Sequence, residues 1–164
     1  MSENTTIYDA VCRPPKAALK TIKGGRLRGM TDINPQWRYR ILTEQFSPCG
    51  VGWRYTIDRV WTEATGGNTI CVFAMVSLYI KDGEKWGGPI PGIGGNQLVE
   101  KEKTGWHVND ECFKMAVTDA LRVACKALGV GADIYMGRWD GSKYVVDQGE
   151  PPNSQRQQPQ SGGH

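Results

Sequence analysis

The sequence holds no C-x-x-C pair and only two histidines, His107 and His164, so a zinc site has no ligand set to build on. Its five cysteines, at positions 12, 49, 71, 112 and 125, are odd in number and widely spaced, which suits reduced thiols rather than a disulfide framework. Cys71 and Cys125 fall in apolar runs and read as core packing. No apolar run approaches membrane-spanning length and no signal-type stretch opens the sequence, which predicts a cytoplasmic protein with no membrane partner. The segment Gly87 to Gly95, GGPIPGIGG, has neither the Gly-Lys-Ser/Thr nor the strand-to-helix setting of a phosphate-binding loop. It reads as a structural connection, with close backbone approach to a ligand or neighbour as the alternative. Neither histidine has an obvious nucleophile or carboxylate partner. Asp119 and Asp133 are the carboxylates to weigh for a metal, but metal-dependent cleavage needs several clustered, and Asp119 is spaced to pair with Arg122 at i+3. The expectation is therefore no catalytic residue, no cofactor and no metal.

What is present is a chain of 164 residues, 39% hydrophobic, long enough for one domain with a real core. The net charge is only +3, but eight basic residues lie between Arg13 and Arg40 against one acid, Asp32, a local net of +7. That segment, which holds Arg26, Arg28, Arg38 and Arg40, is either a phosphate-binding surface or a solubilising face. Six tryptophans and six tyrosines are many for this length. Trp53 and Trp61 read as core, whereas Trp37, Trp86, Trp106 and Trp139 sit in polar or Gly-rich contexts and suit base stacking or a subunit contact.

Patterning predicts an α+β fold. A short helix over 7–13 is stopped by Pro14 and Pro15. A strand over 17–22 turns at Lys23-Gly24-Gly25 and pairs back through Arg26 to Met30. Asn34 caps a helix that starts at Pro35, ends before Ser47-Pro48 and carries an Arg40–Glu44 pair at i+4. Strands over 52–64, 70–81 and 84–90, with turns at Thr65–Asn68 and Asp82-Gly83, make a three-stranded antiparallel meander. In the first of these, Trp53, Tyr55, Ile57 and Trp61 alternate against Arg54, Thr56 and Asp58. The second is apolar on both faces, hence central or at a subunit contact. The meander and the short N-terminal strands pack on a long C-terminal helix. Residues 1–146 form the domain, and 147–164, rich in Pro, Gln, Ser and Gly, read as a disordered tail.

The long helix spans Asn109 to Gly129, with Asn109 or Asp110 as cap and Gly129 as a left-handed stop. Its apolar stripe is broader than a surface helix needs, which calls for packing on a sheet and on a neighbouring subunit. Lys114, Thr118, Arg122 and Lys126 recur every four residues and form one polar ridge, a solvated face or a row of phosphate contacts.

The element order, with YIKDG and VTDALRVACKALG, resembles the annealing core of the Rad-fifty-two superfamily, in particular the small Sak-type phage single-strand annealing proteins. The resemblance covers about Pro15 to Asp140. Its best motif runs from Lys114 to Arg122, where the family has a basic residue, A-V-T-D-G-L and a basic residue. On that match Arg122 and Lys126 take the places of inner-groove phosphate contacts. Val123 stands where the family has a second basic residue. Lys81 matches a lysine of a second, outer DNA site, and Lys103 falls by spacing near another. Trp37 occupies the column of a family arginine, so its role passes to the flanking Arg38, with Arg40 beside it. Arg54, on the polar side of the first meander strand, and Arg26 and Arg28 complete the candidate DNA-binding set. The resemblance implies ATP-independent binding and annealing of single-stranded DNA by a homo-oligomeric ring or open helix in the cytoplasm of a bacterial host. It also implies a host single-strand-binding protein and a phage exonuclease as partners. A non-annealing nucleic-acid-binding accessory protein for double-stranded RNA or replication, and a metal-dependent nuclease, are the alternatives.

Overall fold

The computed structural model describes residues 2–137; Trp139, the domain limit near Val146 and the tail lie outside the described residues. The order is α1 (Thr6–Val11), β1 (Leu19–Thr21), β2 (Thr31–Ile33), α2 (Pro35–Phe46), β3 (Trp53–Ala64), β4 (Ile70–Asp82), β5 (Lys85–Trp86), β6 (Ile90–Glu102), β7 (Gly105–Val108), α3 (Cys112–Ala127) and α4 (Ala132–Tyr135). The architecture is α+β: an antiparallel sheet in the order β3-β4-β6-β7, with β5 folded back on β4, a separate β1-β2 pair, and helices against the sheet. No helix of the described residues is long and apolar enough to cross a membrane.

α2 forms where the sequence says it should. The Asn34 side chain accepts from the Gln36 N–H at 2.9 Å, and Pro35 at the first helical position forgoes a donor that would have gone unused. α3 is capped less directly than expected. Glu111 is the cap residue and makes no side-chain cap bond, while the side chain of Asn109, two residues earlier, accepts from the Glu111 N–H. Gly129 closes the helix in the left-handed region, φ 93°, as expected.

The core lies between α3 and one face of the sheet. Val72, Ala74, Val76 and Leu78 of β4 point at Ala116, Ala120, Leu121 and Ala124 of α3, and all are buried. β4 is an interior strand of the sheet, its near face buried under α3 and its far face only partly covered, with Met75 exposed. The third long strand is where the sequence reading is corrected. β5 takes only Lys85 and Trp86 from the expected strand over 84–90, and most of the supposed Gly/Pro connection is strand β6. Gly92 and Gly94 pair with Val76 and Ala74, on the face toward α3. A Cβ on Gly92 would overlap the Ala120 carbonyl, and one on Gly94 the Ala120 amide. The close approach thus belongs to the chain's own helix. Glycine is there because two backbones touch.

Three further expectations change. Arg26 to Met30 form turns rather than a strand, and Thr31–Ile33 pairs with Leu19–Thr21 instead. The β3–β4 register shifts between Ile57 and Arg59, so Asp58 sits in a β-bulge. Its carboxylate accepts from Ser77 and Thr56 hydroxyls, both at 2.6 Å, and these bonds hold its pKa below the usual carboxylate value. The bulge moves Trp61 off the side of Trp53. Val60 lies opposite the buried Ala74, and Trp61 lies opposite Phe73 with the rings 5.7 Å apart. Trp61 is therefore half-buried on the far face and not part of the core.

The chain's start is clasped to its later helices. The Gly131 N–H donates to the Val11 carbonyl and the Asp133 N–H to the Cys12 carbonyl, both at 3.0 Å. The Tyr8 ring packs on Gly129, and Arg13 pairs with Asp133 at 3.2 Å.

The five thiols are free; Cys49 is exposed, Cys12 and Cys71 are half-buried, and Cys112 and Cys125 are buried. Burial pushes the Cys125 thiol up from 9.0 to about 11. A raised folded pKa means that its contribution to stability is complete below the ordinary thiol value and is lost as pH rises through about 11. At pH 8 a thiol reagent such as Ellman's should label Cys49 within minutes and leave Cys112 and Cys125 untouched until denaturant is added. Equal labelling rates in the native protein would show that the core under α3 is open.

Candidate nucleic-acid interface

The ten candidate cations do not form one stripe. They separate into two clusters on opposite faces of the sheet, several isolated exposed positions and one buried residue.

The first cluster lies on α3. One helical turn separates Arg122 from Lys126, and the side chain of Tyr135, from α4, reaches both. The Arg122 guanidinium meets Asp119 Oδ1 at 2.7 Å, and the Lys126 Nζ sits 4.1 Å from the centre of the Tyr135 ring. Partial burial works against the charge on Arg122. Hydrogen bonds to the Asp119 carboxylate and the Tyr135 hydroxyl outweigh it, so its pKa stands above the usual arginine value. Asp119 is held in turn, since its Oδ2 accepts the Gly95 N–H at 3.1 Å. The side chain of Arg122 is 30% exposed, enough to offer donors to a phosphate while one edge stays fixed. Lys114, at the near end of the ridge, is paired with Glu111 at 2.9 Å, and that bond raises its pKa. Thr118 donates its hydroxyl back to the Lys114 carbonyl.

The second cluster is on the far face, away from α3. Arg54 lies opposite Tyr79, and Lys81 opposite Trp86. The Arg54 guanidinium stacks 4.3 Å from the centre of the Trp86 ring and 5.4 Å from that of Tyr79. The Lys81 Nζ is 5.9 Å from the same Trp86 ring and 3.8 Å from Glu84. Further along, Arg59 covers Trp61 at 4.6 Å, and Met75 and Ile93 are exposed between the two. Cations over aromatic faces are held electrostatically and keep their outward N–H groups available.

The remaining candidates are scattered. Arg26 and Arg28 are exposed on the turns between β1 and β2, and Lys103 is exposed at the tip of the β6–β7 hairpin. Arg40 is exposed and bonded to Glu44 at 2.7 Å, as the spacing predicted. Arg38 is corrected outright. It is 4% exposed and lies on the buried stripe of α2 with Ile41 and Leu42, so it does not reach a phosphate at the surface. The carboxylates weighed for a metal are far apart in role: Asp119 holds Arg122 and Asp133 holds Arg13. Among the described residues no group of three or more His, Cys, Asp or Glu side chains is placed to hold a metal ion.

Sequence reasoning missed Tyr135 and the pairing of Trp86 with Lys81. The second was within reach, because a turn centred on Gly83-Glu84 sets Lys81 opposite Trp86 and Asp82 opposite Lys85. It also missed a cleft of ≈ 590 Å³ between α2 and β3, with Tyr39, Trp53 and Tyr55 as its aromatic lining and Arg40 and Glu44 at its lip. Trp53 is buried, and its indole N–H is satisfied by the Thr43 hydroxyl at 3.1 Å. No family model matches this chain, and no curated protein matches its sequence.

Proposed function

We propose that the protein binds single-stranded DNA and anneals complementary strands without ATP, as a homo-oligomeric ring or open helix of the Sak-type, Rad-fifty-two-like kind. The observation that carries this reading is the coupling of cations to aromatic rings in both clusters, Arg122 and Lys126 with Tyr135, and Arg54 and Lys81 with Trp86. Such pairs combine phosphate attraction with a stacking surface, and neither element reads base identity. Two clusters on opposite faces suit a protein that holds one strand while a second is tested against it. Val123, where the family carries a second base, leaves the inner cluster with Arg122 and Lys126 alone.

The sheet edges support assembly. Among the described residues the outer edge of β3 is met at its start by a bridge from Cys49 to Trp53, and β7 covers β6 only from Val99 onward. Ile57 and Val60 of β3 are exposed on the side of α3 but beyond its cover. An unpaired edge with apolar side chains is a template on which another chain can pair. The annealing core, the ring and the partners, a host single-strand-binding protein and an exonuclease that supplies the strands, all belong to this proposal.

The test uses two complementary fluorescent oligonucleotides at low salt, without nucleotide. The protein should speed their annealing at least tenfold, and the complex should appear as rings or helical arrays by electron microscopy. Tight single-strand binding with no acceleration would leave a binding-only module in its place. Preference for a duplex, with no assemblies, would reject the proposal.

A further inference from the structure

The cleft between α2 and β3 has no part in the two cation clusters, yet three aromatic rings line it, Tyr39, Trp53 and Tyr55. Its rings are arranged as a ladder. Tyr39 and Trp53 are 6.0 Å apart and 17° from parallel, and Trp53 and Tyr55 are 6.4 Å apart and 20° from parallel. The ladder runs from a half-buried ring through a buried one to Tyr55, which is 39% exposed. It ends on an aromatic ring with nothing aromatic beyond it among the described residues.

The surroundings point to a ligand with a flat apolar body, polar edges and a negative backbone. Gln36 presents an exposed amide able both to donate and to accept, and at the lip Arg40, bonded to Glu44 through Nε, keeps its other guanidinium N–H groups to offer. Tyr39 joins this cleft to the basic helix, since its hydroxyl meets Thr118, between Lys114 and Arg122 on the ridge of α3. Tyr39 thus both lines the cleft and contacts the ridge. The volume, ≈ 590 Å³, is that of a small-ligand pocket and exceeds what one amino-acid side chain fills.

We infer that the cleft is a nucleobase pocket, in which one base of each bound stretch of single-stranded DNA turns inward and stacks on Tyr55. The inference rests on the single-strand binding proposed above and adds to it a fixed point. One nucleotide is clamped and its neighbours remain displayed, so the strand is held in step with the protein. Stacking on a π face needs no particular base, which keeps the site tolerant of sequence.

Cys49 lines the cleft and is the exposed thiol of the five. The experiment uses oligothymidylate with one base carrying a short tether that ends in an activated disulfide. The Cys49 thiolate attacks the tether's sulfur, forms a mixed disulfide and releases the small leaving thiol. Capture is read by mass spectrometry of the intact full-length protein, and total binding by fluorescence anisotropy. The base-tethered probe should be captured at least tenfold faster than one tethered at the terminal phosphate, and Cys49→Ser should abolish capture. Tyr55→Ala should weaken oligothymidylate binding roughly tenfold. Tyr55→Phe, which keeps the ring, should bind like the parent and so separates stacking from misfolding. Full-strength binding with equal capture of the two probes, or Tyr55→Ala affinity equal to the parent's, overturns the pocket and leaves single-strand binding standing. If Tyr55→Ala alters only the size of the assembly in sedimentation, the cleft receives a side chain of the next copy, and the inference is wrong. Absence of any oligonucleotide binding by the parent would remove the functional proposal itself, and this inference with it.

Discussion

Replacing both Arg122 and Lys126 by alanine should reduce affinity for single-stranded DNA about a hundredfold at low salt. Each cation offers a charge-assisted bond to phosphate, worth at least about 1.5 kcal/mol, and two such losses amount to roughly two decades in Kd. The salt dependence is the sharper readout. Each phosphate neutralised on a single strand contributes about 0.7 to the slope of log K against log salt, so the double variant's slope should be shallower by about 1.4. The fold should survive, since Arg122 and Asp119 are each about one-third exposed, and a pair at such a site contributes no more than about 1 kcal/mol. Asp119 also keeps the Gly95 N–H when its arginine is gone. Unchanged affinity with an unchanged slope would remove the α3 cluster from the interface. Collapse of the assembly with binding per subunit retained would make the ridge a contact between copies.

The second large effect is on stability. Gly92→Ala and Gly94→Ala should each destabilise the fold by about 3 kcal/mol or more, and together they should leave no cooperative unfolding transition. Overpacking usually costs about 1–3 kcal/mol because side chains can shift aside. Here the added methyl meets backbone of α3, the Ala120 carbonyl for Gly92 and the Ala120 amide for Gly94, which can yield only if the helix lifts from the sheet. Total stabilities of about 5–15 kcal/mol leave little room for two such changes. Gly88→Ala is the control. No atom lies within 4 Å of its Cβ position and its φ is not positive, so its effect should fall within about 0.5 kcal/mol. Urea titrations followed by tryptophan fluorescence give all four values. A Gly94→Ala midpoint equal to the parent's would mean that α3 is not seated on β6 as described.

Periodicity carried α2, β3, β4 and α3, but not β6. Asn34-Pro35 marked the start of α2, Gly129 the end of α3, and the alternation through Trp53, Tyr55 and Ile57 marked β3. What it missed depended on contacts distant in the chain. Nothing local says that Gly92 and Gly94 face a helix more than 20 residues on, so a Gly/Pro run read as a connection. The Asp58 bulge is equally silent. It is stabilised from across the sheet by Ser77, and one inserted residue turned Trp61 to the far face. Arg38 is different, because its burial was legible. It precedes Ile41 and Leu42 by three and four residues and so shares their face of α2, but the family column drew attention to its charge instead of its position. The candidate site was half legible for a related reason. A four-residue repeat gives Arg122 and Lys126 a common face, but only the tertiary fold brings Tyr135 to them, or Arg54 to Trp86.

The clasp between the start of the chain and α4 has a consequence for the order of synthesis. The carbonyls of Val11 and Cys12 are satisfied by amides of Gly131 and Asp133, and Arg13 by the Asp133 carboxylate. Those partners are made roughly 120 residues later, about 6–24 s at ordinary rates of translation. The Val11 and Cys12 carbonyls therefore have only water as a substitute for these amides over that interval. The clasp can close only once α4 has been made, so this early segment is completed by one of the latest of the described residues.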